Sequence, residues 1–273
     1  MLIMMLRRKS KVARKIVITS GKGGVGKTTI TANLGIALSN LGLRVALLDT
    51  DFGLNNLDVV MGVENRVIYD LKDVVSGRCR IRQALIQDNE RKNLFILPSG
   101  TIRSNSEISG QNIKLIIENI SASFDYVLID CPAGIDIGFH RAMSCADEAI
   151  IVATPTLTSL RDADKVINVV KSYKLENSHI VINRARGDLI MSEKMMTPLD
   201  IKEVLKGEII GILPEEDVVF LSCGYSLPKS SDSFKAYKML AQNLHKGTRK
   251  FFNVTSKYSG FFGSIRRGIK RSI

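Results

Sequence analysis

The sequence predicts an α/β fold in which a single doubly wound, mostly parallel sheet is followed by a C-terminal amphipathic helix. Short apolar, β-branched stretches alternate along the chain with segments of helical periodicity. The predicted strands are continuously apolar, as expected for strands that are buried on both faces of a parallel sheet. A glycine-rich loop joins the first predicted strand to the first predicted helix.

The elements follow in a regular order, and each is predicted from its own pattern. Apolar, β-branched runs predict strands over residues 15–20, 43–48, 94–97, 126–129, 149–153, 179–182 and 208–212. Helical periodicity predicts a first helix that ends near residue 41, weak helical pieces at 69–75 and 81–86, and helices at 111–122, 160–174, 199–206 and 233–245.

Length and composition are those of a folded globular protein. The chain has 273 residues, of which 45% are hydrophobic and 24% are charged, which excludes a disordered or fibrous protein. No stretch approaches the roughly 18–20 uncharged apolar residues that a membrane-spanning helix requires. The sequence therefore predicts no transmembrane segment.

The net charge of +12 is concentrated at the two ends of the chain. Residues 1–15 contain six basic residues and residues 245–273 contain eight, with no acidic residue in either segment. The remainder has 25 basic and 27 acidic residues, which argues against a globally basic DNA-binding fold, although a local basic patch remains open. We predict a basic, disordered leader over residues 1–14, a folded body over 15–245, and a basic linker with an amphipathic tail over 246–273.

The four cysteines are scattered and form no CxxC pair or Cys/His cluster. This spacing argues against a zinc or iron–sulfur site and, more weakly, favours a reducing compartment. We therefore expect free thiols at Cys79, Cys131, Cys145 and Cys223.

The strongest motif, G-x-x-x-x-G-K-[ST], lies between the first predicted strand and the first predicted helix. Its glycines let successive backbone N–H groups surround a phosphate, and the following helix adds the positive end of its dipole. Lys27 would neutralise the β- and γ-phosphates of ATP, and the Thr28 hydroxyl would bind Mg²⁺. The predicted nucleotide-binding loop comprises Gly21, Lys22, Gly23, Gly24, Val25, Gly26, Lys27, Thr28 and Thr29.

A second lysine, Lys22, lies inside this loop. Because Lys27 already serves the phosphates of its own loop, Lys22 could instead reach a nucleotide that is held by a second subunit. ATP would then stabilise a homodimer. From spacing alone, a lysine that simply faces solvent is an equally open interpretation.

Three aspartates end two predicted strands at the edge of the sheet where open α/β proteins bind ligands. Asp130 follows the apolar run YVLI and could hold Mg²⁺ through water, as a Walker B aspartate does. Of Asp49 and Asp51, one could contact the Mg²⁺ shell while the other orients the attacking water. Each could alternatively be a helix-capping or loop carboxylate.

These motifs together resemble the MinD/ParA family of ATPases, which has a deviant Walker A motif with an additional lysine, and in particular the members that place the division site. The resemblance covers about residues 15–245 and, less tightly, the tail. Besides the loop, it rests on residues 49–58 (DTDFGLNNLD), 60–70 (VMGVENRVIYD), 82–88 (RQALIQD), 130–134 (DCPAG), 146–151 (ADEAII), 161–164 (RDAD), 182–184 (INR) and 211–217 (GILPEED).

The resemblance assigns further roles to individual residues. It implies that Lys22 crosses the dimer to the partner's phosphates, that Asp51 helps to position the hydrolytic water, and that Asn183 and the turn of Pro214 and Glu215 contact adenine. There are also departures from the family pattern, which bear on regulator contacts and hydrolysis rate: Asn55 replaces a usual arginine, Cys131 replaces a usual serine or threonine, and residues 223–230 diverge.

On a helical wheel, the tail separates into an apolar and a basic side, as in a helix that lies in a membrane interface. Glycines at three positions disfavour a helix in solution, so we expect the tail to fold on lipid. A helix that binds a partner or the core is the alternative. The predicted membrane-contacting residues are Tyr258, Phe261, Phe262, Ile265, Arg266, Arg267, Ile269 and Lys270.

The sequence thus predicts an ATP-hydrolysing membrane switch that dimerises on ATP and docks paired tails on anionic lipid, with ATP and Mg²⁺ as cofactors. The resemblance implies an activator of the MinE type and an inhibitor of the MinC type, and we expect no specific nucleic acid. The alternatives are a ParA-like DNA-partition ATPase and an ATP-binding scaffold with negligible turnover. The sequence resembles cyanobacterial and algal-plastid members of the family, which favours a plastid location, with the bacterial cytoplasm as the alternative.

Overall fold

A computed structural model describes residues 12–100, 108–222 and 225–259. Its strands are β1 (Arg14–Thr19), β2 (Val45–Asp49), β3 (Ile86–Gln87), β4 (Leu94–Leu97), β5 (Tyr126–Asp130), β6 (Glu148–Ala153), β7 (Asn177–Ala185) and β8 (Glu208–Pro214). They form one sheet in the order β3-β4-β2-β5-β1-β6-β7-β8. All neighbours are parallel except the edge strand β3, which is antiparallel to β4. The predicted doubly wound fold is confirmed.

Helices cover both faces of the sheet. They are α1 (Lys27–Ser39), α2 (Leu57–Val60), α3 (Leu71–Val75), α4 (Ile81–Ala84), α5 (Gly110–Ser121), α6 (Ile137–Met143), α7 (Leu157–Lys171), α8 (Gly187–Met191), α9 (Pro198–Leu205), α10 (Asp217–Leu221) and α11 (Asp232–Lys246). One hydrophobic core lies between the sheet and α1 with α11, and the other lies between the sheet and α5, α6, α7 and α9.

The central strand β1 shows why the strands are continuously apolar. Ile16 and Ile18 pack into the core under α1 and α11, whereas Val17 packs into the core on the opposite face. All three side chains are fully buried. Because successive side chains of a strand point to opposite faces, a strand covered on both sides must be apolar at every position.

Several helices begin at a side-chain cap, but α1 does not. Side-chain oxygens accept a backbone N–H at the start of α5, α6, α7, α9 and α11. The N-cap of α1 is Gly26, which has no side chain, and the first turn of α1 contains no acidic residue. The free N–H groups and the positive dipole end of α1 are therefore available to an anionic ligand.

Some elements differ from the sequence prediction. The short helices α6, α8 and α10 were not predicted, because each has only five to seven residues and too few turns to establish a periodicity. The helical piece predicted over residues 81–86 ends at Ala84. Ile86 instead pairs with Ile96 as an edge strand.

The boundaries of the folded body also differ from the prediction at both ends. Arg14, which was assigned to the leader, begins β1 and forms a two-bonded ion pair with Glu148, with both N···O distances 2.6 Å. After α11, the chain continues along the body: Val254 and Tyr258 are buried, and Lys257 forms an ion pair with Asp232 at 2.7 Å. The folded body therefore extends through residue 259.

Within the described ranges, no helix has the length and apolar character needed to cross a membrane. Residues 1–11 of the predicted leader and Cys223 lie outside these ranges. Most of the predicted membrane-contacting residues are outside them too, namely Phe261, Phe262, Ile265, Arg266, Arg267, Ile269 and Lys270.

Candidate nucleotide-binding site

The glycine-rich loop connects β1 to α1 at the carboxyl edge of the sheet. Gly24 and Gly26 have φ angles of 74° and 98°, in the left-handed region that favours glycine. A Cβ atom at Gly26 would also lie 2.5 Å from Nδ2 of Asn183, which in turn donates a 2.8 Å hydrogen bond to the carbonyl of Val25. The end of β7 thus holds the loop against the start of α1.

Lys27, the first residue of α1, is buried with only 8% of its surface exposed. Its Nζ donates to Oγ of Ser20 at 3.2 Å, and this hydroxyl donates to the carbonyl of Lys22 at 2.7 Å. Ser20 therefore holds the lysine inside the curve of the loop. Sequence analysis did not single out Ser20, although its position directly before the motif could have indicated this contact.

Thr28 and Asp130 are joined directly. The Thr28 hydroxyl donates to Oδ2 of Asp130 at 2.6 Å, and the Thr31 hydroxyl donates to Oδ1 at 3.1 Å. Burial raises the pKa of Asp130 to about 6, although the bond from Thr28 and the charge of Lys27 oppose this shift. Because the Thr28 hydroxyl donates its hydrogen bond to Asp130, the lone pairs of its oxygen are free to bind a metal ion.

This donor set suits Mg²⁺ held together with a phosphate. Within the part of the chain that the structure describes, no group of three or more Asp, Glu, His or Cys could hold a metal by itself. Mg²⁺ commonly uses one or two protein oxygens and completes its shell with water and substrate phosphate. Thr28, with Asp130 behind it, fits that pattern.

Asp49 has a different environment from the one expected of a metal ligand. It lies opposite Asp130 in the register of β2 and β5 and is 1% exposed. Its Oδ1 accepts the N–H of Asp51 at 2.8 Å, and its Oδ2 accepts the N–H of Leu57 at 3.3 Å. Burial and the neighbouring Asp130 raise its pKa well above the usual range. Asp49 therefore orders the loop that carries Asp51.

Asp51 is half-buried, and the start of the loop is organised around it. Its Oδ1 accepts the N–H groups of Gly53 and Leu54 at 3.2 and 3.1 Å. Its negative charge contributes to the raised pKa values of Asp49 and Asp130, so the three carboxylates share one region of the sheet edge. The structure thus brings together the three predicted aspartates, in different environments.

A cavity of about 500 Å³ extends from the start of α1 between the ends of β7 and β8. It is lined by the predicted residues Gly26, Thr29, Asn183, Pro214 and Glu215. Sequence analysis missed further lining residues, which include Arg184, Asp217 and Phe220. The residue type of Arg184 does not indicate a place in the cavity. What distinguishes Arg184 is its backbone, which has a φ of 57° at a bulge in β7, and this is visible only in the structure.

Lys22 is exposed, and its side chain forms no hydrogen bond or ion pair with any of the described residues. Several apolar side chains are exposed on loops and at helix starts that follow the carboxyl ends of strands, and they include Leu54, Ile137 and Leu157. An unpaired cation and exposed apolar side chains are both compatible with a surface that meets another molecule. The role of Lys22 remains a prediction.

Two other predicted residues are buried. Cys131 is 1% exposed, and burial raises the pKa of its thiol to about 12, so the thiol is neutral and unreactive near neutral pH. Tyr258, predicted to contact a membrane, is 6% exposed. A Cβ at Gly187 would lie only 2.9 Å from its ring, so the ring packs closely against the backbone of Gly187. The body continues past α11 and covers this ring, so a membrane contact by Tyr258 requires the ring to leave the body and stays a prediction.

Comparison with known proteins identifies the family of this chain. A family model described as an AAA domain matches residues 13–183. The septum site-determining protein MinD of Synechocystis sp. is 39% identical over 93% of this chain and 97% of its own length. A Chlorella vulgaris protein that carries the MinD name is 42% identical over 93% of this chain and 92% of its own length.

Solved structures show the same similarity. The MinD cell division protein of Aquifex aeolicus has a TM-score of 0.80 and 40% identity, covering 88% of this chain and all of that one. A MinC:MinD complex from the same organism has a TM-score of 0.80 and 42% identity, covering 86% and 97%. MinD of Pyrococcus horikoshii, complexed with Mg-ADP, has a TM-score of 0.78 and 31% identity, covering 86% and 96%.

Proposed function

Because this chain belongs to the MinD family of septum site-determining proteins, within the ParA family, we propose that it is an ATP-hydrolysing membrane switch for division-site placement. One observation carries the proposal: the uncapped start of α1 presents Lys27 and the Thr28–Asp130 pair to a phosphate chain. Its relatives include a cell division ATPase and a protein complexed with Mg-ADP.

In the proposed reaction, water attacks the γ-phosphate of ATP in line with the departing ADP. The loop N–H groups and Lys27 hold the phosphates, and the cavity beside Asn183, Pro214 and Glu215 takes the base. Mg²⁺ held at Thr28 would neutralise the charge that develops on the phosphate oxygens. Asp51, which Asp49 holds in place through its backbone N–H, positions the attacking water.

ATP would also control assembly. We propose that Lys22 reaches the nucleotide of a second copy, so that two chains close around two ATP molecules. The exposure of Lys22 and its lack of a side-chain partner within the described residues support this role. Hydrolysis would remove the γ-phosphate that joins the copies and release the dimer.

Membrane attachment would follow from assembly. One basic amphipathic tail, at roughly 1 kcal/mol for each basic residue near an anionic surface, binds weakly. Two tails held in one dimer bind far better, because the second docks at a high effective concentration. Lys257 and Tyr258, the last side chains before the tail that contact the body, lie beside the start of α11 and against Gly187.

The proposed partners are a MinE-type activator that triggers hydrolysis and a MinC-type inhibitor that is carried to the membrane. The MinC:MinD complex among the similar structures supports the second. We propose a plastid location, at the stroma and inner envelope, with the bacterial cytoplasm and inner membrane as the alternative. The similarity to proteins from Chlorella vulgaris and Synechocystis supports either.

Vesicle co-sedimentation tests the switch. The full chain is mixed with vesicles of anionic phospholipid and either ATP or ADP, and pelleting and phosphate release are measured together. We expect ATP-dependent pelleting that is lost on removal of residues 260–273, in Lys27→Ala and in Lys22→Ala. Lys202→Glu, an exposed change on the opposite side of the sheet, is the control and should pellet normally.

Three outcomes would contradict the proposal. Equal pelleting in ATP and ADP would exclude a nucleotide switch, and pelleting that survives tail removal would exclude the tail. Phosphate release that is unchanged in Lys27→Ala would show that the glycine-rich loop is not the catalytic site. Salt-sensitive retention on DNA that survives tail removal would favour the DNA-partition alternative.

A further inference from the structure

A second cavity, of about 570 Å³, lies between α1 and α11, next to the 500 Å³ cavity proposed to hold the base, which we call the base cavity. We name it the α1–α11 groove, and its apolar walls include Ile36, Leu227 and Phe234. Asn33, Ile36 and Tyr237 line both cavities. The groove is therefore separate from the glycine-rich loop, which is the phosphate loop of the proposed first site, but it shares a wall with the base cavity.

The shared wall carries polar groups that the protein itself does not satisfy. Tyr237 is only 3% exposed, and its hydroxyl has no hydrogen-bond partner among the described residues. Burial raises the pKa of this hydroxyl, so it is a neutral donor. Asn33 uses one amide N–H on the carbonyl of Thr29, at 2.9 Å, and its Oδ1 has no partner within the described chain. A side chain as buried as Tyr237 normally has a hydrogen-bond partner, whereas Asn33 is half-buried and its Oδ1 is open to the cavity.

The rim of the groove carries more basic than acidic side chains, since the one carboxylate that lines it, Glu90, is paired with Arg91. Lys229 and Lys238 both line it, both are exposed, and neither forms an ion pair with a residue in the described ranges. Arg91 also lines the groove, but it is already paired with Asp88 and Glu90. Two unpaired cations therefore stand above an apolar cleft that has a hydrogen-bond donor and an acceptor on one wall.

We propose that the α1–α11 groove binds a nucleoside phosphate, as a second site separate from the phosphate loop. The base would lie against Ile36 and Phe234 and hydrogen-bond to Tyr237 and Asn33, and the phosphates would meet Lys229 and Lys238. An acyl chain would leave the tyrosine and asparagine unsatisfied, and inorganic phosphate would use only the lysines. A nucleotide has the apolar faces, polar edge and negative charge that this groove matches.

Occupation of the groove would alter affinity at the first site. Because Asn33, Ile36 and Tyr237 belong to both walls, a base that orders these side chains in one cavity changes their arrangement in the other. Such coupling is reciprocal by thermodynamic necessity. The groove would thus let a second nucleotide tune how tightly the first is held.

Calorimetric titration of the Lys27→Ala chain isolates the groove from the phosphate loop. ATP, ADP, GTP and GDP are titrated separately, with dodecyl phosphate as an amphiphile probe. We expect one nucleotide to bind per chain, and binding to weaken at least about tenfold when Lys229→Glu and Lys238→Glu are added. The matched control, Lys171→Glu with Lys202→Glu, makes the same charge change on the opposite face and should leave binding intact.

Tyr237→Phe, added to the same chain, tests the hydroxyl. We expect severalfold weaker nucleotide binding with no loss of thermal stability, since the hydroxyl has no protein partner to lose. The proposal is overturned if none of the four nucleotides binds, if only dodecyl phosphate binds, or if both lysine pairs weaken binding equally. Because the Lys27→Ala chain lacks the loop lysine, these outcomes do not depend on ATP hydrolysis at the first site.

Discussion

The hydroxyl of Thr28 donates a 2.6 Å hydrogen bond to Oδ2 of Asp130, which joins the first turn of α1 to the carboxyl end of β5. These residues are 102 positions apart in sequence. The bond places a hydroxyl oxygen beside the phosphate loop and a buried carboxylate directly behind it. Each of these two residues should therefore depend on the other for its function.

Replacing Asp130 tests this relationship. We expect Asp130→Asn to lower phosphate release about 10²–10³-fold, because the change removes the negative charge behind the metal ligand. Nucleotide binding measured without Mg²⁺ should change little. The measurement is steady-state phosphate release together with ADP affinity in Mg²⁺ and in EDTA. An equal loss of affinity in both conditions would instead indicate a damaged loop.

The same substitution makes a prediction about pH. The pKa of Asp130 rises from 3.8 in the unfolded chain to about 6 in the folded protein, so the folded state retains its proton longer. The contribution of Asp130 to stability without ligand should therefore fall as pH rises from about 4 to about 6 and then level off. Asp130→Asn lacks this contribution and should gain up to about 3 kcal/mol relative to wild type across that window. Urea unfolding at several pH values measures it, and a relative gain that is independent of pH would contradict the assignment.

Gly26 is predicted to tolerate no side chain. Gly26→Ala combines a strained φ of 98° with a Cβ 2.5 Å from Nδ2 of Asn183, so we expect about 1–3 kcal/mol lower stability and loss of ATP binding. Gly42→Ala is the control, because its φ is 84° but no atom lies within 4 Å of the added Cβ. Thermal unfolding and ATP titration of both variants separate backbone strain from the contact. Equal effects in the two would argue against the role of Asn183.

The ion pair of Arg14 and Glu148 should stabilise the start of the sheet. Glu148 is 3% exposed and accepts two hydrogen bonds from Arg14, so Glu148→Ala should cost about 2–3 kcal/mol of unfolding free energy. Glu203→Ala, at an exposed position of α9, is the control and should cost less than about 0.5 kcal/mol. Denaturant unfolding of the two variants gives the comparison. If Glu148→Ala lowers the free energy of unfolding by less than about 0.5 kcal/mol, the ion pair does not anchor β1.

Tyr258 should act as part of the body. Because its ring is 6% exposed and packs against Gly187, we expect Tyr258→Ala to lower stability by about 2–4 kcal/mol. Tyr225→Ala, at a tyrosine that is 75% exposed, should have little effect on unfolding without ligand. Circular dichroism melts of both variants check the difference. If Tyr258→Ala has normal stability, Tyr258 does not belong to the folded body and is better assigned to the predicted membrane-contacting tail.

Local patterns and motifs predicted most of the fold and part of the site. The apolar strands and long helices were predicted because each is specified by a pattern within a few residues. Lys27 and Thr28 were predicted because their chemistry depends on fixed spacing in one loop. The antiparallel pairing of Ile86 and the short helices α6, α8 and α10 were missed, since they depend on neighbours far along the chain.

By itself, the sequence determined that this protein has a doubly wound sheet and a phosphate-binding loop ahead of a helix, because both follow from short-range periodicity and spacing. Only the tertiary structure decided the environments of the acidic residues and of the chain after α11. The register of β2 and β5 turned Asp49 into a support for the loop, and the burial of Tyr258 extended the body beyond α11. Burial and hydrogen bonding are set by residues far apart in sequence, so no local pattern contains them.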